Sequence, residues 1–497
     1  MFRSIALFVL AAIAPAAPVR FRITLEPEAS KQPIGGRMLV LMSDSSEDRT
    51  VLRAGWGRRT WVAAREVDAI RPGETIDFDP CDNVYPRPFA EAPAGTWQFM
   101  ALLDTNHNYN YRELDGDVVS AVVRKESLDP ADSGPIELRL AEWGRARPGL
   151  PESYAARPVE LTSKLLTAFW GRPITMRAGV VLPRGYDDSG TRRYPAAYVI
   201  PGFGGDHDSS WETEQTELVW VFLEASFPTG HHEFADSVNN GPWGEALVTE
   251  LIPYLEKRFR LRPSARFLTG HSSGGWSSLW LQVTYPDFFH GTWSTAPDPV
   301  DFRSFSGINV TPGSTDNVYR ASDGSPRNLI RGTEVTFEEF ARAEQVLGEY
   351  GGQLASFEAV FSPRGEDGRP MRMFNRSTGE LNPNTIAAWQ KYNIRRKLAE
   401  NWKALEPRLR GKIHVFCGDQ DTFHLEEAAS LLCDFLAGVR AGATCEIIPE
   451  RDHMDLYRRH EKHYPEGLHR RIAAEMEARY RALRPRPKKK TAGSGLQ

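Results

Sequence analysis

Cysteine is scarce in this 497-residue chain, which holds only Cys81, Cys417, Cys433 and Cys445. So few exclude a disulfide-built scaffold, and the lack of a Cys-x-x-Cys spacing excludes a zinc ribbon or a thioredoxin-like site. The thiols are expected as small buried hydrophobes, with one C-terminal pair able to cross-link in an oxidising compartment. Charge of one sign is also lacking: 61 Lys and Arg face 65 Asp and Glu, a formal balance of −4. That balance gives no electrostatic argument for a nucleic-acid partner. No stretch approaches the roughly 20 apolar residues of a membrane span. No internal repeat is apparent. No His-Glu-x-x-His run occurs, so no catalytic metal is expected.

What is present divides by rhythm. "MFRSIALFVLAAIAPAAPVRF" opens with Arg3, a short apolar run and small residues. It reads as a secretory leader over residues 1–18, and hence as a periplasmic or extracellular protein. Residues 19–145 carry short runs rich in β-formers, such as "RFRITLE", "GRMLVLMS" and "TWQFMALLD", separated by Gly, Pro, Asp and Asn. They are expected to form a small β-sandwich-like domain. Within it, "DTNHNYNYRELD" resembles a calcium loop in its first positions. Tyr109 stands where glycine is needed, so a plain connector is expected. Residues 146–158 read as a linker.

From residue 159 to 483, apolar runs ending in small residues alternate with helical patterns. "AAYVIPG", "ARFLTG", "GTWSTAP", "KIHVFCG" and "ATCEIIPE" are the strands. "WGEALVTELIPYLEKRF" is expected to bury Leu247, Leu251, Tyr254 and Leu255. "SGGWSSLWLQVTYP" is expected to bury Trp276, Leu279, Trp280 and Val283. Such alternation predicts an α/β fold with a mostly parallel sheet, whose ligands gather at the carboxyl ends of the strands. Residues from about 300 to 405 interrupt it as an insertion over the site. Residues 484–497 read as a disordered basic tail.

The chemistry centres on "LTGHSSGGWSSL". Gly270-His271-Ser272-Ser273-Gly274 lies between a strand and an amphipathic helix, the setting of a nucleophile elbow. Ser272 occupies the apex. The N–H of Ser273 heads the helix and is suited to an oxyanion. Ser277 and Ser278 read as structural. A serine hydroxyl needs a histidine to take its proton and a carboxylate to orient that histidine. "KIHVFCGDQDTFH" supplies Asp421, preferred as the acid, with Asp419 as an alternative that would cap a helix near His424. Asp298, after "GTWSTAP", is a third candidate. "PERDH" supplies His453 as the base; His424 is its rival, and His460 and His463 read as solvated. "PGFGGDHD" supplies the second oxyanion donor, the N–H of Phe203, with Gly204 as the alternative. His207 and Asp208 either line the pocket or make the turn. "GHHEFAD" is placed on a loop at the rim of the site.

On "VVLPRGYDDSGTRRYPAAYVIPGFGG", "GHSSGGWSSLWLQVTYPDFF", "GDQDTF" and "PERDH", the chain from about 160 to 480 resembles the esterase D-like family of α/β-hydrolases. The resemblance implies that Ser272 is the nucleophile, Asp421 the acid and His453 the base of a cofactor-free serine esterase. The continuation "DHMDLYRRH" departs from the family pattern and leaves the packing behind His453 open. A small-molecule or carbohydrate-linked ester is the expected substrate. An acyltransferase of the same fold and a non-catalytic binding protein are the alternatives.

Overall fold

The computed structural model describes residues 18–44, 60–81, 83–107, 116–144, 156–207, 216–348 and 351–483. The leader, the 484–497 tail, most of the 146–158 linker and positions 108–115 of the calcium-like stretch lie outside the described residues. The chain divides into two compact units, residues 1–146 with 345–348, and residues 147–344 with 349–497.

The first unit is β-rich. Period-two alternation builds its core. Phe21, Ile23 and Leu25 on one strand, Met38, Val40 and Met42 on another, and Ile136, Leu138 and Leu140 on a third all point into one apolar cluster. Hydrogen bonding joins nine strands into a single mixed sheet. This differs from two separate stacked sheets. The junction is the long strand Gly95–Asp104, which pairs with Val123–Leu128 along its first half and with Asp117–Ser120 along its second. The run "DVVSAVVRK" thus splits into two strands.

The second unit is built on an eight-stranded sheet. Its strands are β1 (Ala156–Ser163), β2 (Ile174–Val181), β3 (Tyr194–Ile200), β4 (Val219–Leu223), β5 (Leu261–His271), β6 (Thr292–Thr295), β7 (Ile413–Gly418) and β8 (Thr444–Ile448). Their order is β1-β2-β4-β3-β5-β6-β7-β8. From β4 to β8 all neighbours run parallel, while β2 is antiparallel to both β1 and β4. Strand β3 is buried at every residue, as expected of a parallel strand covered on both faces. This is the α/β-hydrolase arrangement.

Helix Ser273–Thr284 follows β5 and buries Trp276, Leu279, Trp280 and Val283. The helical run from Trp243 to Arg258 buries Leu247, Leu251 and Leu255, but Tyr254 faces out. Its middle, Leu247–Leu251, is wound as a π-helix, which turns the apolar stripe so that Ile252 faces inward instead. Between β6 and β7 come the helices Phe337–Leu347, Gln353–Phe361, Pro383–Trp389 and Ile394–Leu409. The last of these packs on Trp280 through Lys397 and leads directly into β7. It serves as the crossover helix, so the inserted part ends near Asn393. Cys433, on helix Glu426–Gly438, and Cys445, on β8, form a disulfide, while Cys417 is buried and free. Among the described residues, no helix is long and apolar enough to cross a membrane.

Candidate active site

Ser272 sits at the turn from β5 into its helix with φ +59° and ψ −124°. That region is sparsely populated for a residue with a side chain and costs roughly 1–3 kcal/mol. The neighbouring backbone holds it there. Its N–H donates to the Thr295 carbonyl at 3.1 Å, and its own carbonyl accepts from Trp276 N at 3.0 Å and Asp298 N at 3.1 Å. The glycines are needed for close approach. A Cβ on Gly270 would collide with the Gly274 carbonyl, and one on Gly274 with the Ile200 carbonyl at the end of β3. Ser273 begins the helix.

The acid loop follows β7. Asp421 is fully buried, and its Oδ2 lies 2.8 Å from Nδ1 of His453, itself 4% exposed. Its Oδ1 accepts from Phe423 N at 2.9 Å, so backbone donors and the imidazole share the carboxylate. Arg331, from the insertion, donates to the Asp421 carbonyl at 3.0 Å and pairs with Glu426. Asp419 lies elsewhere. Its Oδ1 accepts from Glu450 N at 2.8 Å, which ties the end of β8 down rather than capping a helix near His424. His424 stands with φ +59° on the acid loop, while His463 pairs with Glu446 at 3.0 Å. His453 is packed between Phe423, edge-on at 4.9 Å, and His271, at 4.4 Å between ring centroids. Behind them Tyr457 donates to Thr295 Oγ1 at 2.7 Å, and Nδ1 of His271 reaches the same oxygen at 3.1 Å. Burial, reinforced by the charge of His453, holds the His271 imidazole well below its ordinary pKa. It is therefore a neutral wall. Tyr457 and His271 are the residues that the departing "DHMDLYRRH" segment left open.

Asp298 is brought to the Ser272 hydroxyl, whereas the ring of His453 faces Asp421. Ser272 Oγ donates to its Oδ1 at 3.3 Å, Ser273 Oγ to its Oδ2 at 2.5 Å, and Gln353 Nε2 to Oδ2 at 3.3 Å. The loop after β3 closes the other side. Gly202 approaches Ser272 so nearly that a Cβ on it would lie 3.3 Å from the serine Cβ. Phe203 follows, and the turn is closed by Gly205 N donating to the Gly202 carbonyl at 3.0 Å. His207 pairs with Glu224 at 2.6 Å; Asp208 lies outside the described residues.

The "GHHEFAD" segment is not at the rim. His231, His232 and Glu233 are at most 2% exposed and lie beneath the elbow. Glu233 and Phe234 both have positive φ, 56° and 45°, a strained pair that only a buried, over-determined turn retains. His232 stacks on Trp243 at 3.8 Å. Adjacent polar residues after an apolar strand ordinarily mean an exposed loop, and nothing in their spacing marks them as core. Among the described residues, no group of three or more His, Cys, Asp or Glu is placed to hold a metal ion.

Burial first, then the charge of Glu233, pushes the Asp298 carboxyl up to about 7 from 3.8. The native state therefore binds a proton that the unfolded chain releases at lower pH. Its contribution to stability is lost as pH rises from about 4 to about 7. Asp298→Asn cannot lose it. The melting temperature of the variant relative to wild type is expected to improve between about pH 5 and about pH 8. Thermal melts at both pH values check this, and an unchanged difference would contradict it.

The sequence model of the family described as "Putative esterase" matches residues 172–457, more than half of the chain. Among solved structures, the chain is similar to a ferulic acid esterase at 13% identity, covering 66% of this chain and 99% of that one, with a TM-score of 0.38. It is similar to an S-formylglutathione hydrolase from Agrobacterium tumefaciens at 15% identity, covering 67% and 96%, with a TM-score of 0.37. A fluorophosphonate-binding serine hydrolase of Staphylococcus aureus shares 14% identity over 67% and 99%, with a TM-score of 0.36. No curated protein sequence matches the chain. By the match to its sequence model, the chain belongs to the "Putative esterase" family and is an ester-hydrolysing enzyme.

Proposed function

We propose that this enzyme is an exported serine carboxylic-ester hydrolase that works through an acyl-enzyme on Ser272. The observation that carries the reading is the buried His453–Asp421 hydrogen bond of 2.8 Å, placed against His271, the residue adjoining Ser272. In the resting arrangement Ser272 Oγ faces Asp298. A rotation about χ1 turns it toward His453, and such contacts commonly tighten only with substrate bound. His453 takes the hydroxyl proton as Oγ attacks the ester carbonyl. Asp421 fixes the ring and balances the imidazolium. The N–H groups of Phe203 and Ser273 receive the oxyanion. Collapse of the tetrahedral adduct expels the alcohol, protonated by His453. Water then attacks the acyl group by the same route, releasing the acid and restoring Ser272. The substrate proposed is a small-molecule or carbohydrate-linked ester.

Hydrolysis of p-nitrophenyl acetate, with product analysis in the presence of added alcohols, tests this. Steady release of acetate is expected. A new acetate ester as the main product would favour an acyltransferase, and no turnover by folded protein would favour a binding protein. Export is proposed from the leader-like N-terminal sequence, and the Cys433–Cys445 disulfide fits it, since such bonds persist in oxidising compartments. The mass of enzyme recovered from outside the cytoplasm is expected to lack the leader; an unprocessed N-terminus found only inside the cell would contradict it.

A further inference from the structure

The turn His231–Glu233 touches both halves of the oxyanion site from below. On one side, Nε2 of His231 lies 2.9 Å from the Pro201 carbonyl. A carbonyl only accepts, so this nitrogen carries a proton and donates it. Pro201 immediately precedes Gly202 and Phe203, the loop that closes over Ser272. On the other side, Ser277 Oγ lies 2.6 Å from Oε2 of Glu233 and 2.8 Å from the Ser273 carbonyl. A hydroxyl has one hydrogen to give, and the shorter contact to a carboxylate is the stronger claim on it. Glu233 thus grips the helix that Ser273 heads, one turn beyond Ser273. Nδ1 of His231 accepts from the backbone N–H of Glu233 at 3.2 Å, and Glu233 Oε1 lies 3.2 Å from the same nitrogen, each side chain 1% exposed. Burial opposes a charge on His231, but Glu233 and the Pro201 carbonyl outweigh it and raise its pKa.

We propose that His231 and Glu233 are positioning residues for oxyanion stabilisation, a buried brace that fixes the spacing between the Pro201–Gly205 loop and the helix headed by Ser273. Neither touches substrate. Their effect is on where two backbone N–H donors point, and this rests on the esterase reading above. Groups preorganised for developing charge act in the transition state more than in the ground state. The brace should therefore appear in kcat and not in KM.

The test compares His231→Leu, which removes the donor, with His231→Gln, whose carboxamide nitrogen can reach Pro201, and with Glu233→Gln, which keeps shape and removes charge. With p-nitrophenyl acetate, His231→Leu is expected to lower kcat about 100-fold with KM within about threefold, in the range of losing one oxyanion donor. His231→Gln should recover about tenfold of that loss, and Glu233→Gln should fall about tenfold. The affinity for phenylboronic acid, whose serine adduct places an oxygen in the oxyanion position, should fall in parallel with kcat. Should His231→Leu not fold, the two size-conserving variants decide. If both keep kcat and boronate affinity within about twofold of wild type, or if they raise KM and leave kcat unchanged, the proposal is overturned. Wild-type turnover and adduct formation, measured alongside, report separately on the esterase reading.

Discussion

Ser272→Ala is expected to lower ester turnover by about 10⁵- to 10⁶-fold while the protein folds normally, the scale seen when a triad nucleophile is removed. The residual rate would come from oxyanion donors and substrate binding alone. Removing the side chain also relieves nothing at the elbow. The backbone of residue 272 stays at its strained φ because Thr295, Trp276 and Asp298 still hold its N–H and carbonyl. A thermal melt close to wild type should therefore accompany the loss. Turnover within about tenfold of wild type would move the nucleophile elsewhere.

The second large effect separates three carboxylates. Asp421→Asn is expected to cost about 10⁴ in kcat, because an amide facing Nδ1 favours the wrong tautomer of His453 and cannot balance an imidazolium. Asp419→Asn should cost at most about tenfold, since Asp419 only holds the Glu450 amide. Asp298→Asn should fall between, through the resting position of the Ser272 hydroxyl. Circular dichroism must first show each variant folded. If Asp298→Asn abolishes turnover and Asp421→Asn does not, the acid comes from the strand after the nucleophile helix, and the triad proposed here is wrong.

How much of this was legible in the sequence depends on whether local pattern or tertiary packing decides each residue. The elbow was legible because its glycines are dictated by backbone crossing within five residues and are flanked by a strand and an amphipathic helix. Asp421 was singled out because "KIHVFCG" ends in time for it to leave the sheet, and it does face His453. Asp298 was seen as a candidate acid, but its place against Ser272 Oγ depends on a contact between β6 and the helix after β5 that no spacing encodes. The turn at His231–Glu233 was misplaced at the rim because its polarity reads as exposure. Elements far away in the sequence bury it, among them Trp243 against His232 and Ser277 against Glu233. Tyr254 was misread because a π turn shifts the helical stripe. The N-terminal unit was legible as β-rich, but not the joining of its strands into one sheet, because one long strand serves two partners.

The proposed reaction passes through a covalent acyl-enzyme on one serine. Rapid mixing of the enzyme with p-nitrophenyl acetate, an acid quench and peptide mass mapping tests it most directly. One acetyl group is expected on the peptide containing Ser272, formed as fast as the first release of p-nitrophenol and absent from Ser272→Ala. An acetyl group found instead on Ser273 or His453, or turnover with no covalent intermediate under any quench, would contradict the account.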